Sequence, residues 1–278
     1  MATASSTTIV AGRTAVITGA GSGIGRALAL RLAAHGCPVA LCDWDEDGLR
    51  QTAESVAGPV LTRKLDVRDR QGQMTWAAEV RAWAPAPIGV VVNNAGVTTS
   101  QTVAGASPED DEWCFDVNFW GVVHGTRAWL PVLQEQGHGT IANVSSVFGL
   151  VGFPTQSAYC ASKFAVRGFT ESLRHELRDS AVRAVAIHPG GVRTHIVDNA
   201  RFHVDDQGGT DHGAMSADFT RLARTSPERA AEIIHRGLER GSDRILVGRD
   251  AVALSLLTRV APVRYYDVID KITRLARR

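Results

Sequence analysis

Thr14-Ala15-Val16-Ile17-Thr18-Gly19-Ala20-Gly21-Ser22-Gly23-Ile24-Gly25 is the stretch that decides the fold. Five residues rich in β-branched side chains run without interruption into a glycine-rich turn, and an apolar helical pattern follows. A strand, a tight turn and a helix in that order are the opening of a βαβ unit. Glycines at such a turn allow tight backbone bending, close approach of the backbone to a pyrophosphate, and close packing of helix on strand. The helix N-terminus that follows offers free N–H groups and partial positive charge to phosphates. The spacing is G-x-x-x-G-x-G, so the generic G-x-G-x-x-G dinucleotide fingerprint fits only loosely. Asp43, 18 residues beyond Gly25, closes the next β-branched run. A carboxylate there suits the ribose hydroxyls of an adenosine, while Asp45 can serve as the start of the helix that follows.

Working outward, short β-branched runs at 14–18, 39–42, 60–65, 88–92, 140–144, 183–187 and 244–247 alternate with helical patterns at 23–36, 46–56, 69–83, 109–135, 158–179 and 227–240. Several strand runs are apolar on both faces, as in a parallel sheet covered by helices on each side. The expected fold class is therefore α/β, a doubly wound mainly parallel sheet, in one catalytic domain spanning 12–248 after an N-terminal tail at 1–11. Residues 191–226 form a long Gly-, Asp- and His-rich connection, expected to be a substrate loop or lid. It ends at Ser226-Pro227-Glu228, an N-cap followed by Pro at N1. Residues 249–278 are expected to form a helical extension, with Val252, Leu256, Val260 and Val263 on an apolar stripe, a break at Pro262, and Arg259, Arg264, Lys271 and Arg274 around it. Packing on its own subunit or a neighbour is expected ahead of contact with a membrane surface.

The chain of 278 residues is 44% hydrophobic and 21% charged, with a formal net charge of +1. Such a balance suits a soluble globular protein, and the net charge gives no support for a nucleic-acid binder, which should show a basic face or stripe. Cys37, Cys42, Cys114 and Cys160 show no regular spacing and read as reduced thiols. No signal-like segment and no long apolar run is present, so the expected location is the cytoplasm. The histidines and cysteines form no metal-ligand motif, and no metal site is expected.

Further along, Asp66-Val67, Asn93-Asn94-Ala95-Gly96, Asn118, Ser146, Tyr159-x-x-x-Lys163 and Pro189-Gly190-Gly191-Val192-Arg193-Thr194 follow the glycine loop in order. With these motifs the chain resembles the short-chain dehydrogenase/reductase family, in its single-domain branch, from about residue 12 to 247. The resemblance implies a Rossmann-type fold with a seven-stranded sheet, a nicotinamide cofactor, a small-molecule alcohol or ketone as substrate, and a homodimer or homotetramer. By the same resemblance Asn118, Ser146, Tyr159 and Lys163 are the catalytic set. Ser146 is preferred over Ser145 because the family's serine lies 13 residues before its tyrosine. Gly19, Ser22, Gly23, Ile24, Gly25, Asp43, Asp66, Val67, Asn94, Ala95, Gly96, Pro189, Gly190, Val192 and Thr194, together with Tyr159 and Lys163, are the expected cofactor contacts.

The chemistry fits the residue types. A tyrosine titrates near pH ~10, too high for a base at neutral pH, and a neighbouring cation favours its phenolate. Tyr159 and Lys163 are spaced i, i+4 and share a helix face. With three tyrosines and three lysines in the chain, a chance pair at that spacing is expected only ~0.03 times. Ser146 is expected to hold the substrate oxygen, and Asn118 to complete a water-linked proton path to the lysine, as the resemblance implies. Asp43 repels a 2′-phosphate and is followed by Trp44 instead of an arginine, so NAD is expected ahead of NADP. An NADPH-dependent ketoreductase and a non-catalytic nucleotide sensor remain the alternatives. Phe148, Phe153, Gly191, His195 and Phe202 are expected to line the substrate pocket. With Arg193 and Arg201 nearby but no clear anion clamp, the expected substrate is uncharged and hydrophobic. Trp44, Trp113, Trp120 and Trp129 are expected to pack in the core or an interface.

Overall fold

The computed structural model describes residues 10–206 and 208–276; of the side chains of Asp270 and of residues 272–276 nothing is said. Most of the tail expected at 1–11, the Arg274 side chain and the basic end at 277–278 lie outside the described residues. Seven strands form one sheet. They are β1 (Thr14–Thr18), β2 (Val39–Asp43), β3 (Val60–Lys64), β4 (Ile88–Asn93), β6 (Gly139–Val144), β7 (Val182–Pro189) and β9 (Arg244–Val247). Their order is β3-β2-β1-β4-β6-β7-β9, and every pairing is parallel. All C-terminal strand ends therefore point the same way. The order reverses between β1 and β4, which opens a crevice at that edge.

The two faces of the sheet bury separate cores. Ala15, Ile17, Val90 and Val92 point to one side, against Leu28 and Leu32 of α1 (Gly23–Ala34), Leu49 of α2 (Glu46–Glu54), and Ile234 and Leu238 of α8 (Pro227–Glu239). Val16 and Val91 point to the other, against Trp76 and Val80 of α3 (Arg70–Trp83), Trp129 and Leu133 of α5 (Gly121–Gln136), and Leu173 of α6 (Ser157–Glu176). Alternate residues buried on both faces are the structural form of the doubly apolar runs. α8 begins at Ser226, whose hydroxyl accepts the Arg229 N–H, with Pro227 at N1.

Three expectations of local structure are corrected. The helix read as continuous over 109–135 is α4 (Pro108–Phe115) joined to α5 by a π-helical turn, Asp116–Trp120. The long connection after β7 is not bare loop. Its strand β8 (Arg201–Phe202) pairs in parallel with β5 (Thr99–Ser100), and its helix α7 (His212–Leu222) is capped by Asp211. Gly213 lies in the first turn of that helix. The extension forms α9 (Arg249–Val260) and α10 (Tyr265–Ala276) on either side of Pro262, but Val252, Leu256, Val260 and Val263 are exposed in this chain. α9 packs instead through Ala251 and Ser255, whose small side chains permit close approach. Trp129 is buried as expected, whereas Trp44 and Trp120 are exposed. The four cysteines are free and buried, and no described helix is long and apolar enough to cross a membrane.

Candidate active site

The loops that follow β1 and β4 are stitched together at the crevice. Asn94 donates its side-chain amide to the Thr18 and Gly19 carbonyls at 2.9 and 3.1 Å. The Thr18 hydroxyl in turn accepts the N–H groups of Asn94 and Ala95, both at 3.0 Å. Gly19 takes φ +66°, and a Cβ there would meet the Ala95 backbone. A Cβ on Gly25 would strike the Gly19 carbonyl, so the turn closes only with glycine at both positions. Gly23 lies against the Thr194 methyl, joining the segment after β7 to the same loop, while Ile24 packs on the core.

This arrangement fits a dinucleotide. Ser22 at the start of α1 makes no side-chain cap, as is also so for α2, α5, α6 and α9, and the first turn of α1, next to the glycine turn, holds no acid. Its N–H groups and dipole are thus left for an anion. Asp43 accepts the Gly21 N–H at 2.7 Å on one carboxylate oxygen and the Asp45 N–H at 2.9 Å on the other. Each oxygen keeps a lone pair for a hydroxyl donor. Burial pushes the Asp43 carboxyl up, against the N–H donors that pull it down. Asp45 occupies the N-cap position of α2, and its own N–H is the one that Asp43 accepts. Arg26, one turn into α1, is committed to the Gly21 and Gly48 carbonyls and to Thr52. Asp66 is chelated by Arg68, whose hydrogen bonds hold its carboxyl below the usual range, and Val67 packs against Gly121.

The expected catalytic side chains converge from three elements. Asn118 sits in the π-helical turn, fully buried, and its amide is doubly paired with Val97: Nδ2 donates to the carbonyl and Oδ1 accepts the N–H, both at 2.9 Å. Its Nδ2 also reaches Ser162 Oγ at 3.1 Å. A π turn inserts one residue into a helix and rotates the side chains after it, a device frequent at functional sites. Ser146 follows β6 and accepts the Phe148 N–H at 3.1 Å, which leaves its hydroxyl proton to give. Ser145 instead donates to the Lys163 carbonyl at 2.8 Å, inside the fold. On α6, Tyr159 and Lys163 are buried on one face, with Nζ 5.6 Å from the ring centroid. Nζ donates to the Val144 carbonyl at 3.1 Å. Gly96 leaves the gap between Lys163 Nζ and Asn118 Oδ1 open; a Cβ there would lie 3.2 and 3.1 Å from them.

The protein's own electrostatics differ from expectation. Burial pushes the Tyr159 phenol up, with the Ser146 hydroxyl as the main opposing influence. Burial also pulls Lys163 down to about 8. Nζ faces the ring and a carbonyl, and burial is the largest influence on both groups.

Phe148 and Phe153 stack at 5.1 Å, and the Phe148 ring meets Tyr159 edge-on at 6.0 Å. Trp113 and Ile196 pack against the same Tyr159, Ala158 and Cys114 cluster. His195 is not drawn in: it is exposed and bonded to Asp198 at 2.9 Å. Phe202 stacks on His212 of α7 at 5.1 Å. Val192 is buried in a bridge to Thr225, and Gly190 pairs with Val247 at the sheet end, next to Pro189. Gly191 lies against Ala223 and Asp250. Sequence reasoning missed His188, buried in β7, where its Nδ1 pairs with the Ser146 carbonyl at 3.0 Å. A lone histidine inside an otherwise apolar run, just before Pro189, was the available signal.

Comparison with known proteins points in one direction. Residues 13–204 match the family profile described as short chain dehydrogenase. A putative oxidoreductase, SadH, of Mycobacterium tuberculosis is 43% identical over 264 residues, covering 93% of this chain and 94% of that one. The 3-oxoacyl-[acyl-carrier-protein] reductase FabG of Thermotoga maritima is 37% identical over 186 residues, 66% of this chain and 75% of its own. Among solved structures, a short chain dehydrogenase/reductase from Burkholderia phymatum in complex with NAD superposes with a TM-score of 0.81 at 30% identity, over 90% of this chain and 94% of the other. Levodione reductase superposes with a TM-score of 0.73 at 28% identity, over 82% and 90%.

Proposed function

The chain belongs to the short-chain dehydrogenase/reductase family, and from that premise we propose that it transfers a hydride between NAD(H) and an uncharged, hydrophobic secondary alcohol or ketone. Membership makes it an NAD(P)-dependent oxidoreductase on a Rossmann-type sheet. The finer reading rests above all on the Tyr159 phenol, buried with Ser146 and Lys163 at the foot of an aromatic wall. Asp43 supports NAD: each of its carboxylate oxygens keeps a lone pair that suits a ribose hydroxyl, its charge would repel a 2′-phosphate, and Arg26 is engaged elsewhere. The B. phymatum relative, solved with NAD, is in keeping with that choice.

The nicotinamide, when bound, supplies the hydride acceptor or donor and, oxidised, a positive charge. Ser146 gives its hydroxyl proton to the substrate oxygen, stabilising charge as it develops there. Tyr159 takes the proton from the alcohol at its phenolic oxygen, or returns it to the ketone in reduction. Lys163 favours the phenolate when protonated, and Asn118 fixes the helix turn beside it. The aromatic wall excludes water from the reacting oxygen. Exposed Trp120 and Phe164, on the segments that carry Asn118 and Tyr159, suit a homodimer or homotetramer interface, and the cytoplasm is the proposed location. The test is Tyr159→Phe, which should lower kcat by at least ~1000-fold while the Kd for NADH stays within about twofold. Near-normal turnover in that variant would overturn the mechanism.

A further inference from the structure

The two chain segments that frame the reacting position are each held by a side chain of the C-terminal extension. α9 follows Gly248, its N-cap residue with φ +103°, and carries Asp250 in its first turn, where the helix dipole favours a carboxylate. The Gly191 N–H donates to Asp250 Oδ2 at 2.6 Å. A Cβ on either Gly190 or Gly248 would clash with that carboxylate, so both glycines clear its approach. α9 then crosses the turn after β6, the chain breaks at Pro262, and α10 opens with Tyr265. The Tyr265 phenol oxygen accepts the Gly152 N–H at 3.1 Å. Gly152 leads directly into Phe153, which stacks on Phe148, which in turn meets Tyr159.

We propose that Asp250 and Tyr265 are positioning residues of the active site, Asp250 fixing the segment after β7 and Tyr265 fixing the Phe153 wall, so that the extension sets the size of substrate accepted. The proposal rests on the hydride-transfer reading above. Gly190, Gly191 and Arg193 already share backbone bonds with Val247 and Thr225; the Asp250 acceptor adds the bond to the Gly191 N–H, and one fixed acceptor changes how long a loop holds one shape. Tyr265 acts 113 residues from Gly152, and Asp250 acts 59 residues from Gly191. The extension thus ties together walls that leave different strands.

The test uses the full chain and its Tyr265→Phe, Asp250→Ala and Asp250→Asn variants, with three readouts. These are hydrogen–deuterium exchange of peptides covering 148–156 and 189–195, the Kd for NADH, and kcat/KM for methyl phenyl carbinol and isopropanol with NAD⁺. Tyr265→Phe should speed exchange in 148–156 alone by about tenfold and leave NADH binding within about twofold. It should lower kcat/KM for the carbinol about tenfold relative to isopropanol, through KM. Asp250→Ala should speed exchange in 189–195 and weaken NADH binding about tenfold, and Asp250→Asn, which keeps an acceptor oxygen, should restore both. Unchanged exchange in 148–156, or an equal loss for both alcohols accompanied by a lower Tm, would overturn the role of Tyr265. Unchanged exchange in 189–195 would overturn that of Asp250. If the unmodified protein oxidises neither alcohol, the failure belongs to the hydride-transfer reading, and the exchange and NADH arms still decide the positioning roles.

Discussion

Lys163 stands at the residue scale as a group held where burial disfavours its charge. Its value of about 8 lies below that of an ordinary lysine, about 10.4. The folded chain therefore releases this proton more readily than the unfolded chain. The cost of burying the charge is in full force below about pH 8 and fades as pH rises toward the ordinary lysine value. Lys163→Met should raise stability at neutral pH by about 1–3 kcal/mol, read by denaturant unfolding, while suppressing turnover. A variant less stable than the parent at neutral pH would show that the hydrogen bond to Val144 outweighs desolvation. On the proposed mechanism, alcohol oxidation in the parent uses the Tyr159 phenolate and should rise with pH, and loss of Lys163 should move that rise to higher pH. Asp43 makes a second residue-scale case. Asp43→Ala removes the carboxylate that accepts the Gly21 and Asp45 N–H groups, and with it the repulsion of a 2′-phosphate. The ratio of kcat/KM for NADP(H) over NAD(H) should climb by about tenfold or more. An unmodified protein using both cofactors equally would refute the assignment.

At the scale of elements, the connection after β7 is docked on α4. Arg201 and His203, at either end of Phe202, both reach the Asp110 carboxylate at 2.7 Å, and the Arg201 guanidinium lies 4.0 Å over the Trp113 ring. Burial works to raise the Asp110 carboxyl, but the hydrogen bonds from His203 and Arg201 outweigh it and hold it below its ordinary value. A depressed carboxyl gives stability above its unfolded value that is lost as pH falls through the folded one. Docking should thus be intact at neutral pH and fail in acid. Asp110→Asn should loosen it at neutral pH, with faster tryptic cleavage within 191–226 and a substrate KM several-fold higher; an unchanged cleavage rate would refute the latch. None of this was legible beforehand. Strands of two residues such as β5 and β8 have no periodicity to display, and the glycines around α7 masked the Asp211 cap. The π turn was equally hidden, since one added residue leaves an apolar helix pattern readable as continuous. β1, its glycine turn and the Ser226-Pro227 cap were legible because local sterics and hydrogen bonding dictate them. The contacts of Asp250 and Tyr265 were not, because they join residues far apart in sequence.

Across the whole molecule, the parallel sheet gathers the ends of β1, β4, β6 and β7 at one edge, and the chemistry of the resulting pocket follows from what each end carries. The loops after β1 and β4 bring backbone N–H groups and glycines. The loop after β6 brings Ser146 and then Phe148 and Phe153, and the connection after β7 brings Ile196. A carboxylate or phosphate entering between these walls would need a cation to replace its water, since burying an unpaired charge costs several kcal/mol. Arg201 is committed to Asp110 and Trp113, and Arg193 is exposed with Glu228 as a charged neighbour. Lys163 is engaged with the Val144 carbonyl. On the proposed reading, none of these three described cations is poised as an anion clamp, and the Phe148–Phe153 wall favours apolar bulk. Bulky uncharged secondary alcohols and ketones should be turned over with kcat/KM at least ~100-fold above that for small hydroxy acids or sugar phosphates, which corresponds to about 2.7 kcal/mol of discrimination. The measurement is kcat/KM across a matched panel with NAD⁺ for the alcohols and NADH for the ketones. A preference for an anionic substrate that disappears in Arg193→Ala or Arg201→Ala would mean that one of these arginines leaves its present partner to bind substrate, and the apolar reading of the pocket would fall.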